Sequence, residues 1–201
     1  KVLAGEVVTL SVDWEHIPAK HRSLIKAFLD EADMSADVIK TVDFPPAYGA
    51  DIVVSCEKAK DPKNGSIYLK PTQFVLGIGC RRNTAFENID RAIRQSLLKL
   101  QIDISDIDMI ASIDVKKDEP GIKEFCERNR IDFVTYTADE LMAVQGEFSA
   151  SQFVREHVGV DNVCERAAVL ACSRECNEAG ELIYKKHKYD RVTVAAARYP
   201  D

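Results

Sequence analysis

Eight residues carry most of the chemistry this chain can offer: Gly77, Gly79, Cys80, Arg81, Arg82, Lys116, Glu119 and Glu165. The first five fall in one stretch, Phe74-Val-Leu-Gly-Ile-Gly-Cys-Arg-Arg-Asn-Thr84. An apolar run meets two glycines, a thiol, two guanidinium groups and a polar residue able to cap a helix. Glycines let a ligand approach the backbone, and a helix start favours anions. Paired guanidinium groups sharpen the expectation of an anionic ligand. Lys116 and Glu119 sit in a second charged stretch, Asp114-Val-Lys-Lys-Asp-Glu119, and Glu165 follows Asn162. Two carboxylates and an ammonium beside an anion site are the groups acid–base chemistry needs.

Plainer readings stand beside these. Tight strand-to-helix turns use glycines without any ligand. The Gly77-x-Gly79 pair has no third glycine in dinucleotide-binding register, and no P-loop lysine pattern is present. Cys80 is either a thiolate activated by the helix end and the arginines, or a small residue packed in a turn. Lys116 and Glu119 also fit a solvated ion pair. Glu165 also fits a capping-box glutamate after Asn162.

These residues need elements to hold them. Phe74–Ile78, Asp108–Ile113 and Ile131–Tyr136 read as buried strands. Phe86, Ile89, Ile93, Leu97 and Leu100 recur at helical spacing, with Thr84 and Glu87 as a capping box. Asp118-Glu-Pro-Gly opens a second helix carrying Ile122, Phe125 and Cys126, and Thr137-Ala-Asp-Glu140 is another box. Ser149-Ala-Ser-Gln152 starts a helix that Gly159 ends, and Asn162 opens one rich in alanine. Leu182–Tyr184 and Val192–Ala197 read as strands. The alternation predicts an α/β fold with a mostly parallel sheet layered with helices. Its strand-to-helix loops meet at the carboxyl edge, where ligands bind.

Before this region lies a smaller α/β segment. Val7–Trp14, Val38–Val42, Asp51–Ser55 and Ile67–Lys70 read as strands, and Ala19–Ala32 as a helix with Leu24, Ile25, Phe28 and Leu29 on its apolar stripe. Asp61-Pro-Lys-Asn-Gly-Ser66 reads as a turn. Pro71 sets the expected boundary, giving regions 1–72 and 73–201.

Composition narrows the function classes. With 46% hydrophobic and 30% charged residues, the 201-residue chain reads as an ordinary soluble protein. A net charge of −6 argues against a general nucleic-acid binder, so any anion site is a local cluster. No apolar run approaches a bilayer span, and the opening residues read as a strand, not a signal peptide. Six scattered cysteines, without CxxC or Cys/His ligand spacing, read as reduced cytoplasmic thiols and not as a metal centre. His16, His21, His157 and His187 lack metal-site spacing and read as surface residues.

Five motifs in order resemble one family. Val75-Leu-Gly-Ile-Gly-Cys-Arg-Arg82, Ala111-Ser-Ile-Asp-Val-Lys-Lys-Asp-Glu-Pro-Gly121, Phe133-x-x-x-Thr-Ala-Asp-Glu-Leu141, Val163-Cys-Glu-Arg-Ala-Ala168 and Thr193-Val-Ala-Ala-Ala-Arg198 are similar to the C-terminal domain of cobalamin biosynthesis protein G (CbiG). That domain also occurs alone as the CobE-type protein. Residues 1–72 resemble the family's central region. The full-length enzyme has a further N-terminal domain, so either a fragment or a divergent short member fits.

The resemblance implies a cobalt-precorrin-5A hydrolase of anaerobic vitamin B12 synthesis. Water opens the ring-contraction lactone, and acetaldehyde leaves. The substrate is a polycarboxylate tetrapyrrole, which Gly77, Gly79, Cys80, Arg81, Arg82 and Lys116 are suited to hold. Glu119 and Glu165 are the candidate bases, and Lys116 with the Gly79–Cys80 amides the candidate oxyanion donors. Cobalt arrives in the substrate, so no further cofactor is expected. Other pathway enzymes are conceivable partners; nucleic acid and membrane are not. A non-catalytic corrinoid-binding or carrier module and a generic anion- or nucleotide-binding α/β domain remain the alternatives.

Overall fold

The computed structural model describes residues 7–32, 39–44, 50–55, 66–149, 159–176 and 179–200. The chain divides into two units, Lys1–Pro71 with Asp201, and Thr72–Pro200.

In the first unit, strand β1 (Val8–Val12) leads through helix α1 (Ala19–Ala32) to β2 (Ile39–Val42). Strands β3 (Ile52–Val54) and β4 (Ile67–Leu69) follow. All pairs are parallel, in the order β2-β1-β3-β4. The core is Leu10, Val12, Ile17 and Val54, with Ile25 and Leu29 of α1 packed on it. The expected α1 stripe splits. Ile25 and Leu29, four apart, face the sheet, whereas Leu24 and Phe28 are exposed at 59% and 56%. At 100° per residue, one residue's offset turns that second pair out of a narrow contact. At the end of β1 the buried Asp13 carboxylate accepts from Ser55 Oγ at 2.9 Å and meets His16 Nδ1 at 2.9 Å. Val38, Cys56 and the expected turn short of Ser66 lie outside the described residues.

The second unit begins with β5 (Phe74–Cys80), α2 (Phe86–Leu100), β6 (Ile107–Ile113), α3 (Pro120–Asn129) and β7 (Asp132–Tyr136). It continues with α4 (Ala138–Ala143), α5 (Val163–Cys176), β8 (Glu181–Lys188) and β9 (Val192–Arg198). The sheet order is β7-β6-β5-β9-β8. Strands β5, β6 and β7 are parallel, whereas β9 runs antiparallel to both β5 and β8. The α/β class matches the sequence pattern. The five-stranded sheet itself is mixed, with two parallel and two antiparallel pairings, because β9 enters against the direction of its neighbours.

Side-chain alternation along β5 builds three layers. Phe74, Leu76 and Ile78 bury against Ile89, Ile93 and Leu97 of α2 and Ile122 and Phe125 of α3. Val75 meets Ala167, Ala168 and Ala171 of α5 on the other face. Each buried Leu or Ile contributes ~1.5–3 kcal/mol. Small residues set the spacing on the α5 face. A Cβ placed on Gly77 would lie 1.7 Å from the Cys164 carbonyl oxygen, so the helix backbone rests directly on the strand.

Helix starts follow the sequence where their signals are local. Thr137 and Glu140 form their capping box, with Thr137 N–H donating to Glu140 Oε2 at 2.7 Å. Pro120 occupies the first turn of α3, behind Glu119 as its N-cap residue. Asn162 Oδ1 accepts from Glu165 N at 2.9 Å and starts α5. The box expected at Thr84 and Glu87 is not the arrangement found. Ala85 is the N-cap residue without a side-chain cap, and Thr84 N–H donates instead to Glu119 Oε1 at 2.9 Å. A buried acceptor from a distant loop takes the amide that the local box would have used. The helix expected to start at Ser149–Gln152 and end at Gly159 lies, between Ser149 and Gly159, outside the described residues.

Candidate functional site

Four segments converge at the carboxyl edge of β5 and β6. The first is the turn after β5. Gly79 packs against Thr193, whose hydroxyl a Cβ would meet at 2.6 Å. Asn83 takes a left-handed φ of 56°, which asparagine tolerates better than most residues. Thr84 Oγ donates to Arg81 O at 2.7 Å, and Arg81 N to Arg191 O at 3.0 Å. These bonds fix the backbone that carries Arg81 and Arg82, whose side chains stay exposed.

The second segment is the single 3-10 turn Asp114–Lys116 after β6. Lys116 Nζ donates to Glu119 Oε2 at 3.1 Å, and the Lys116 side chain is largely buried. The third is the β8–β9 hairpin, bringing Lys186, Lys188, Tyr189, Asp190 and Arg191. The fourth is the start of α5, with Asn162, Val163 and Cys164. Together they line a cavity of about 640 Å³. Its walls include Ile113, Val115, Val163 and Val192.

The charge of this cavity is one-sided. Arg81, Arg82, Lys116, Lys186, Lys188 and Arg191 line it, against Asp190 as the carboxylate among the described lining residues. The chain as a whole carries −6, so the cluster stands against the average. Such a surface beside apolar walls suits an anionic ligand with an apolar body.

The expected residues divide three ways. Gly79, Cys80, Arg81, Arg82 and Lys116 line the cavity together. Gly77 is off its wall, where α5 presses on the strand. Glu119 and Glu165 stand behind it, 5% and 0% exposed. Glu165 Oε2 accepts from Ser149 N at 2.7 Å, and its Oε1 from Ser149 Oγ at 2.8 Å and Lys186 N at 2.6 Å. Its carboxylate is thus spent on a loop and a strand, and does not return to Asn162 as a local box would. Lys186 Nζ and Asn162 Nδ2 both donate to Ser149 O, at 3.2 and 2.8 Å. Ser149 is therefore the joint between this loop, α5 and the hairpin.

Sequence reasoning missed Lys186, Lys188 and Arg191. The signal was present as the run Lys185-Lys-His-Lys188 with Arg191, an unusual basic cluster in an acidic chain.

The thiolate reading of Cys80 is reversed. Burial pushes its thiol up to about 11, and the nearby Lys116 offsets only part of that. Burial likewise pushes Cys164 up to about 12. Both are protonated near neutral pH. Cys80, Cys126, Cys164 and Cys172 are, among the described residues, thiols outside any disulfide. Among the described residues, no group of three His, Cys, Asp or Glu side chains is placed to hold a metal ion. Nor is any described helix long and apolar enough to cross a membrane.

Residues 74–197 match the family model described as cobalamin synthesis G C-terminus. This chain belongs to that family. The cobalamin synthesis G match spans the five-stranded sheet up to Ala197 and every segment that lines the cavity. A cobalt-precorrin-5A hydrolase of Salmonella typhimurium is 37% identical over 102 residues, 51% of this chain and 29% of that protein. The crystal structure of CobE, a protein from the cobalamin (vitamin B12) biosynthetic pathway, superposes with a TM-score of 0.59 at 26% identity. It covers 62% of this chain and 89% of CobE. A cobalamin biosynthesis protein G homolog from Sulfolobus solfataricus shares the fold over 98% of this chain and 52% of its own, with a TM-score of 0.52 at 18% identity. The chain spans less than half the length of the curated hydrolases it matches.

Proposed function

We propose that this chain serves cobalt-precorrin-5A hydrolysis in cobalamin biosynthesis, and that its second unit holds the substrate. The observation that carries the reading is the cluster of six cationic side chains around a partly apolar cavity of about 640 Å³. A cobalt-loaded tetrapyrrole brings a flat macrocycle and ionised carboxylate arms. Guanidinium groups pair such arms in a bidentate fork, and ammonium groups hold them as point charges. The cobalt belongs to the substrate, and no separate cofactor enters the reading. Other enzymes of the pathway are the partners it suggests, in the reducing cytoplasm that suits free thiols.

In the reaction, water adds to the lactone carbonyl and the ring carbon–oxygen bond breaks, leaving a carboxylate and an alcohol. The alcohol then gives up its hydroxyl proton as the carbon–carbon bond to the macrocycle breaks; acetaldehyde leaves, and the electron pair stays on the ring, which takes up a proton. Negative charge develops on the carbonyl oxygen during the attack. Lys116, an ammonium at the cavity wall, is the donor this reading assigns to that oxygen. Arg81 N donates to Arg191 O, and alternation along the antiparallel ladder turns the Gly79 amide, paired with Thr193, to the same neighbour, which leaves Lys116 better placed than that amide.

One observation favours a second reading, a non-catalytic corrinoid-binding module. Neither Glu119 nor Glu165 lines the cavity, and both already accept buried hydrogen bonds. Two measurements separate the readings. A visible-absorbance titration with the cobalt-corrinoid intermediate tests binding. An acetaldehyde assay, run on this chain and on the full-length hydrolase, tests turnover. Saturable binding with acetaldehyde release from this chain supports hydrolysis. Binding without release supports the module, and absence of saturable binding overturns both.

A further inference from the structure

Glu119 joins two of the cation-bearing loops. Its Oε1 accepts from Thr84 N at 2.9 Å, and Thr84 in turn donates through its hydroxyl to Arg81 O at 2.7 Å. Its Oε2 accepts from Lys116 Nζ at 3.1 Å. The carboxylate is 5% exposed and 35 residues away from Thr84 in sequence. Behind it, Gly121 lets the start of α3 close on this turn: a Cβ there would lie 2.3 Å from Thr84 O. Lys116 carries three N–H donors. Glu119 takes one, the Cys80 thiol is a second neighbour, and the side chain borders the cavity.

We propose that Glu119 is a positioning residue that aims Lys116 into the polyanion cavity while holding the Arg81–Arg82 turn. This deepens the substrate-holding reading above and rests on it for the ligand class. Simple charge counting predicts the opposite of positioning. Glu119 is a negative charge beside a site for a polyanion, so removing it should tighten binding. If its job is to hold Lys116, removing it should weaken binding instead. The sign of one substitution decides between them.

The experiment uses uroporphyrin III, an octacarboxylate tetrapyrrole, followed by fluorescence quenching. Glu119→Gln keeps an oxygen for Thr84 N–H and the shape of the side chain, but gives up the ion pair. Wild type, Glu119→Gln, Lys116→Met and the double variant are compared at one salt concentration. Positioning predicts about tenfold weaker binding for Glu119→Gln, the scale of one charged hydrogen bond. It also predicts little further loss when Glu119→Gln is added to Lys116→Met, because the residue it served is gone. Equal or tighter binding in Glu119→Gln overturns the proposal. So does an equal loss in both backgrounds, which marks a purely structural role.

A second measurement needs no ligand. Cys80 lies beside Lys116, so its alkylation by iodoacetamide, read by peptide mass spectrometry at pH 9, reports where that ammonium is. Positioning predicts slower Cys80 alkylation in Glu119→Gln, because losing the lowering influence of Lys116 outweighs losing the smaller raising influence of Glu119, whereas a Lys116 that stays in place makes alkylation faster. Unchanged or faster alkylation overturns it. If uroporphyrin III fails to bind wild type, the ligand reading falls, and the Cys80 measurement still decides whether Glu119 holds Lys116.

Discussion

Gly77 and Cys164 touch through their backbones: a Cβ on Gly77 would sit 1.7 Å from the Cys164 carbonyl oxygen and 2.7 Å from its carbonyl carbon. Backbone cannot step aside as a flexible side chain can. Gly77→Ala must therefore lift α5 off the sheet. The expected cost is about 3 kcal/mol, at the upper end of overpacking penalties, read as a lower urea midpoint. Because α5 carries Asn162 and Cys164 to the cavity, corrinoid binding should weaken in the same variant. An unchanged midpoint would mean that the helix has room the geometry denies.

Glu165→Gln should lower stability. Three donors, Ser149 N, Ser149 Oγ and Lys186 N, point at this one carboxylate. A glutamine offers one acceptor oxygen and turns an NH2 toward a donor. One unsatisfied buried group costs ~1–3 kcal/mol, measurable by chemical denaturation. A variant as stable as wild type would remove Glu165 from the joint at Ser149.

The cavity cations should act unequally in salt. Arg81→Ala and Lys188→Ala should each weaken corrinoid binding by ~1.5–3 kcal/mol at low ionic strength. Both side chains are exposed, so the losses should shrink as salt screens them. Lys116 is largely buried, and its loss should persist. The check is the absorbance titration repeated across salt concentrations. Losses that keep their size at high salt for the exposed pair would contradict the placement.

Alkaline pH should unfold the second unit early. Cys80 is raised from 9.0 to about 11, and Cys126 and Cys164 from 9.0 to about 12, each by burial first. Above pH 9 the unfolded chain releases these protons while the folded chain keeps them. Stability is then full below pH 9 and falls as pH rises through 11 to 12. Urea midpoints across pH 8 to 12 test this. Cys164→Ala should flatten the slope, and an unchanged slope would assign the loss to other groups.

Local signals were legible and distant partners were not. The elements from Phe74 to Tyr136 stood out because β5 and β6 are continuous apolar runs buried on both faces, while the helices between the strands bury one regular face. The Thr137 capping box formed because both members lie in one turn. At Thr84 the same signal misled, because Glu119 reached the amide first through tertiary packing. Glu165 looked like a cap for the same reason, and Ser149 and Lys186 claimed it. The arginines after Gly79 were visible beside a glycine turn. Lys186, Lys188 and Arg191 sit in a hairpin with no such landmark, and only the fold brings them to the same cavity.

Strand β9 is among the last residues described, yet it lies inside the sheet, between β5 and β8. On a ribosome, β5 emerges more than a hundred residues before the partner that covers its open edge. Until Arg198 has cleared the exit tunnel, that edge presents unpaired backbone groups next to the apolar Val75, Leu76 and Ile78. The domain therefore completes its fold only after synthesis has passed β9. Premature termination anywhere before Val192 should yield chains that aggregate or are degraded, not shorter working domains.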